Sequence, residues 1–216
     1  MLWLVETNPS LREWFNMTRH NSTRYIVFLD LPGDIQSKID LVKKKYSPNS
    51  LKKWPSHITF KYDEDYSLSQ EQIKKMVENF FREIPPLKLT LDKLAIDFLR
   101  QTDGWNICIP VKNEAALRKM VKKFSKKMEL FADLKSPGTL SSTKWEQSKN
   151  FKLHVSIKGG LGKVTGQKLY REVLKEDFHI DFPIDIECRS ITLARWRNKK
   201  WEKICCIKLN HKNTDA

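Results

Sequence analysis

The chain has 216 residues, 40% hydrophobic and 31% charged, the balance of a globular domain with a sizeable core. No apolar run approaches the roughly 20 residues that span a bilayer, and Leu2–Val5 lacks a basic leader, so an intracellular protein without a membrane span is expected. Forty basic residues against 26 acidic ones give a net charge of +14, which favours RNA or a nucleotide as partner.

Residues 1–23 read as an N-terminal extension, with Asn8-Pro9 able to start a short helix. Arg24 to Leu31 is a strand run stopped by Pro32-Gly33, and 34–46 carries Ile35, Ile39 and Val42 at helical spacing. Pro55-Ser56 introduces a strand, His57 to Tyr62. A helix follows from Ser69 to Arg82, closed by Pro85-Pro86, and Leu87 to Phe98 reads as a strand or hairpin arm.

The second half repeats this order. Trp105 to Lys112 is strand-like, and Asn113 is a candidate cap for a helix reaching Phe131, with Leu117, Val121, Phe124 and Met128 on one face. A polar segment, 135–150, precedes the strand Phe151 to Ile157. Its length accounts for the wider spacing in the second copy, and as an insertion it is expected to be mobile or to form a cleft-side flap. Gly159-Gly160 reads as a loop, Thr165 to Lys175 as a helix. Ile180 to Ile186, Ser190 to Trp196 and Trp201 to Leu209 read as strands, and 210–216 as a polar tail. Residues 24–209 are therefore expected to form one domain of two pseudo-symmetric lobes. Cys108, Cys188, Cys205 and Cys206 show no CxxC pair, which fits reduced core or strand residues rather than a zinc site.

The repeat places His57-Ile-Thr-Phe60 and His154-Val-Ser-Ile157 at equivalent points. Residues two apart on a strand share a face, so His57 pairs with Thr59 and His154 with Ser156, while the apolar residues between face inward. Two imidazoles and two hydroxyls lining one pocket are the parts that phosphodiester cleavage needs. One imidazole takes a proton, the other gives one, and the hydroxyls donate to the phosphate. A lone H-x-[ST] is commonplace; two at matching places in a repeat are not.

These two motifs resemble those of the 2H phosphoesterase superfamily, which includes the RNA 2′,3′-cyclic phosphodiesterases once called 2′-5′ RNA ligases. The strand Tyr25 to Pro32 is similar to their first strand. The resemblance implies an α+β bilobal duplicated fold, with two antiparallel-rich sheets facing a central cleft and helices outside. It also implies His57 and His154 as the catalytic pair, Thr59 and Ser156 as phosphate-binding residues, and hydrolysis of a ribose-linked phosphodiester without metal or cofactor. A 2′,3′-cyclic phosphate opened to a 2′-phosphate is the first substrate expected. Linear or cyclic 2′-5′ and 3′-5′ oligonucleotides, or a non-catalytic RNA-binding module, are the alternatives. Leu153 stands where many members carry proline, and Lys158-Gly159-Gly160 where arginine is frequent.

Further candidate substrate contacts are Tyr62, Lys158, Arg195, Arg197 and Trp201. The last three belong to a final hairpin in which basic residues alternate with aromatics, a pattern that can hold phosphates and stack bases. Trp54 and Trp145 are weaker stacking candidates, and Lys119, Lys122, Lys123, Lys126 and Lys127 form a basic helix stripe. No obligate protein partner is expected.

Overall fold

Nine strands and five helices are present among the residues that the computed structural model describes, 24–65, 68–99, 104–129, 152–197 and 200–210. In chain order they are β1 (Arg24–Asp30), α1 (Gly33–Tyr46), α2 (Pro48–Lys53), β2 (His57–Asp65), α3 (Gln70–Phe81), β3 (Leu87–Leu91), β4 (Ala95–Leu99) and β5 (Gly104–Pro110). Then follow α4 (Ala115–Glu129), β6 (His154–Leu161), α5 (Lys163–Val173), β7 (Ile184–Cys188), β8 (Ser190–Arg197) and β9 (Lys200–Lys208). The N-terminal extension, the 135–150 segment and the end of the tail lie outside the described residues.

The α+β class is as expected, and every pairing is antiparallel. Seven strands run in the order β4-β5-β6-β2-β1-β8-β9, and β3 pairs with β7 in a small second sheet. The two lobes meet at the β2–β6 contact, where one registered pair, Ile58 with Val155, joins three strands on one side to four on the other. The lobes exchange strands. β4, from the first half, pairs with β5 of the second, and β8, from the second, pairs with β1 of the first.

Burial follows from the alternation. Ile58, Phe60, Val155 and Ile157 are buried, and the helices supply Ile39, Val77, Phe81, Val121 and Phe124 to the same core. Phe60, Phe81 and Phe124 meet edge-on or tilted at centroid distances of 5.1 to 5.7 Å, the favoured geometry for aromatic quadrupoles. The opposite face carries the histidines.

Several local expectations are corrected. Leu87 to Phe98 is two strands in different sheets, because the chain leaves β3 at Asp92 and crosses to the other lobe. Asn113 does not cap α4: it sits two residues ahead of the helix, and its Oδ1 accepts from the Thr90 backbone N–H at 2.8 Å. β7 begins only after Pro183, which has no N–H for a ladder. Gly159 and Gly160 belong to β6. Gly160, at φ 70, gives its N–H to Asn106 Oδ1, and a side chain at Gly159 would meet that same amide. The helix α2 is not legible in the sequence, being too short for a periodic signal.

Ser69 and Gln72 form a reciprocal capping box at the start of α3. Ser69→Ala should lower unfolding free energy by about 1 kcal/mol, read as a shift in the urea midpoint at constant slope.

Candidate functional site

The repeat in sequence is also a repeat in backbone geometry. Both strands carry the pattern His-apolar-hydroxyl-apolar-Lys, as His57 to Lys61 and His154 to Lys158. Each has a bulge at the same place. Against β1, Thr59 lies opposite Phe28 but Lys61 opposite Val27; against β5, Ser156 lies opposite Cys108 but Lys158 opposite Ile107. One extra residue on the bulged strand ends the simple alternation and turns the strand. Since Ile58 and Val155 are paired and fully buried, His57, Thr59, His154 and Ser156 share the opposite face. The antiparallel sense brings His57 toward Ser156 and Thr59 toward His154.

Each imidazole is held by a carbonyl two residues earlier. His57 Nδ1 lies 2.8 Å from Pro55 O, and His154 Nδ1 lies 2.9 Å from Lys152 O. A carbonyl only accepts, so both Nδ1 atoms carry the proton, and in the neutral ring Nε2 keeps its lone pair. The supporting loops are fixed in a parallel way. Ser56 N–H donates to Asp40 on α1 at 2.9 Å, and Leu153 N–H donates to Glu114 before α4 at 3.0 Å. The ring of His57 also packs on Phe28 at 4.4 Å, and Trp54 meets the edge of Phe28 at 4.8 Å. Asp40, Glu114 and Phe28 are not legible in the sequence, since each acts through a register or a helix end that spacing does not reveal.

The two imidazoles differ electrostatically. Burial lowers both below the usual histidine value. His57 falls to about 4, where burial outweighs its carbonyl bond and the nearby Lys43 and His154 push the same way. For His154, burial is opposed by its carbonyl bond and by the carboxylates Asp97 and Glu114, while Lys152 adds to the lowering. Asp97 is itself paired with Lys152 at 3.1 Å.

The remaining candidates scatter. Lys158, registered against the core residue Ile107, leaves the row of His154 and Ser156 because of the bulge. Arg195 is on the wrong side of the sheet. It pairs with Tyr25, a core residue, and its guanidinium binds Gln70 on α3 and Glu202 at 2.9 Å. Arg197, two residues on, is exposed at the hairpin end. Trp201 is on the histidine face, 5.4 Å from Trp196, which Arg24 and Lys53 flank. Its strand pair lies level with Arg24, six residues along β1 from Asp30, or about 20 Å from the histidine level at strand rise. Tyr62 is within β2, but its side chain, like Trp145, lies outside the described residues. No helix among the described residues is long and apolar enough to cross a membrane.

A family model for the 2′-5′ RNA ligase superfamily matches residues 31–200. Among solved structures, TT0787 of Thermus thermophilus superposes with a TM-score of 0.51 at 13% identity, covering 88% of this chain and 100% of its own. Escherichia coli LigT complexed with 3′-AMP gives 0.50 at 14% identity, covering 88% and 99%. At such identities the likeness is one of fold. No curated protein matches the chain. The matched region contains both histidine strands and all of the framework but its first and last strands, and the chain belongs to the 2′-5′ RNA ligase superfamily of 2H phosphoesterases.

Proposed function

We propose that the protein is a metal-independent phosphodiesterase that opens a ribose 2′,3′-cyclic phosphate, at an RNA end or on a nucleotide, to a 2′-phosphate. The observation that supports this most is the matched tethering of two imidazoles. Both Nδ1 atoms are occupied by carbonyls, which leaves both Nε2 atoms for proton transfer beside two hydroxyls.

In this reading one neutral imidazole takes a proton from water as the oxygen attacks phosphorus. The bond from phosphorus to the ribose 3′ oxygen breaks, and the other imidazole, protonated beforehand, gives its proton to that oxygen. Thr59 and Ser156 donate to non-bridging oxygens. The surroundings divide the roles. His57, with a lysine nearby and a pKa of about 4, is suited to the base. His154, where the carboxylates Asp97 and Glu114 oppose the lowering by burial, is suited to the acid.

Removing one hydroxyl leaves the proton relay intact, so Thr59→Ala and Ser156→Ala should each lower kcat/KM by about tenfold, the worth of one hydrogen bond. Activity should be unchanged in excess EDTA, as the two imidazoles account for both proton transfers. The test is product mapping on a panel of oligonucleotides with cyclic, 2′-5′ and 3′-5′ phosphates. Cleavage of linear linkages with the cyclic ends untouched would overturn the proposed substrate.

A further inference from the structure

Beside His57, on the same face of the sheet, a groove of about 500 Å³ runs between β1, β8 and β9. Its lining includes Phe28, Asp30, Trp54, Thr192, Lys203 and Cys206. Asp30 is the registered neighbour of His57 across β1 and β2, so its carboxylate lies one strand from the imidazole. We propose, on the strength of the phosphodiesterase reading above, that this groove holds the base of the substrate nucleotide and that Asp30 selects guanine.

A carboxylate beside a site for phosphate repels the substrate unless it meets hydrogen-bond donors. Asp30 has no cation within ion-pair distance among the described residues, although Lys53 and Lys203 line the same groove. It is instead held in place by hydroxyls. Ser190 Oγ donates to Oδ2 at 2.6 Å, and Thr192 Oγ1 lies 2.9 Å from Oδ1 and 3.0 Å from Oδ2. The thiol of Cys206 is 3.7 Å from Oδ2.

Counting lone pairs gives the selectivity. An ionised carboxylate has about four acceptor positions. Thr192 has one hydroxyl proton and satisfies one oxygen at a time, Ser190 occupies one position on Oδ2, and a thiol is a weak donor. Both oxygens therefore keep acceptor capacity. Guanine presents two N–H donors side by side on one edge, at N1 and at the 2-amino group, which match two carboxylate oxygens. Adenine, cytosine and uracil each set an acceptor beside their donor on that edge, and a base acceptor aimed at the second oxygen is repelled. Trp54 adds an aromatic wall, on which a base of any kind can stack.

The experiment uses nucleoside 2′,3′-cyclic phosphates of guanosine, inosine and uridine with wild-type protein and Asp30→Asn. An isosteric amide keeps the hydroxyl bonds while replacing one acceptor with a donor. Wild type should turn over the guanosine compound about tenfold faster in kcat/KM than the uridine one, the usual discrimination of a paired contact. Inosine, which lacks only the 2-amino group, should fall between them, and this comparison needs no variant. Asp30→Asn should bring the guanosine-to-uridine ratio close to one.

A second readout is independent of turnover. Alkylation of the exposed Cys206 by iodoacetamide, mapped by mass spectrometry, should be slowed by guanosine 2′-phosphate and little by uridine 2′-phosphate. Equal turnover of all three cyclic phosphates with equal protection of Cys206 would overturn the guanine site and leave the phosphodiesterase reading standing. Guanosine-selective protection with no turnover of any substrate would do the reverse.

Discussion

Replacing either His57 or His154 with alanine should lower turnover by about 10² to 10⁴, the range for loss of one positioned acid or base. The expectation rests on tethering. With Nδ1 of each ring tied to a carbonyl and the ring of His57 packed on Phe28, neither imidazole has to be ordered at the moment of reaction. The two losses should not multiply. Once one imidazole is gone the relay from water to leaving oxygen is already broken, so the double variant should be only slightly slower than the worse single. Urea unfolding of the same variants separates chemistry from collapse, and the rate losses should greatly exceed any change in midpoint. Rates for the double variant equal to the product of the two single losses would mean that the residues act independently, contrary to a shared relay.

The pH dependence should be displaced to the acid side. In the free protein both imidazoles lie below the ordinary histidine value near 6.5, His57 at about 4. A base with that pKa is neutral across the whole range above it. An acid must be protonated, and above the pKa of His154 its protonated fraction falls about tenfold per pH unit. The maximum of kcat/KM is therefore expected below 6.5, with a decline toward neutral and alkaline pH. A bound phosphate anion between the rings favours their charged forms, so the alkaline limb of kcat should lie at higher pH than that of kcat/KM. The same shifts bear on folding. Between about 4 and 6.5 the unfolded chain binds a proton at His57 that the folded chain does not, so stability should fall as pH drops through that window. A kcat/KM that rises from pH 6 to 8 would contradict the protonation scheme.

The central residues are legible in the sequence because two independent regularities coincide on them. Strand alternation puts His57 with Thr59 and His154 with Ser156, and the repeat puts both pairs at the same structural point. Where either regularity breaks, spacing along the strand no longer fixes which face a side chain takes. Lys158 has the right parity from His154, but the bulge between Ser156 and Lys158 displaces it. Arg195 has the opposite parity from Thr192 on β8, and a pairing to Tyr25 and Gln70 follows from that single step. The strand exchange between lobes is hidden as well. Nothing local distinguishes β4 bound to β5 from β4 bound to β3, because the choice is made by long-range packing. Asp30 reads in the sequence only as part of a strand. Its relation to His57 depends on the β1–β2 register, which two intervening helices conceal.

The most direct test of a two-histidine, metal-free phosphodiesterase is a single-turnover assay on a short RNA ending in a 2′,3′-cyclic phosphate. Wild type and the His57→Ala, His154→Ala double variant would be compared in excess EDTA, with the products resolved as 2′- and 3′-phosphates. Wild type should open the ring rapidly to a 2′-phosphate, and the double variant should be slower by at least about 10². A double variant that opens the cyclic phosphate as fast as wild type would contradict the paired-histidine mechanism.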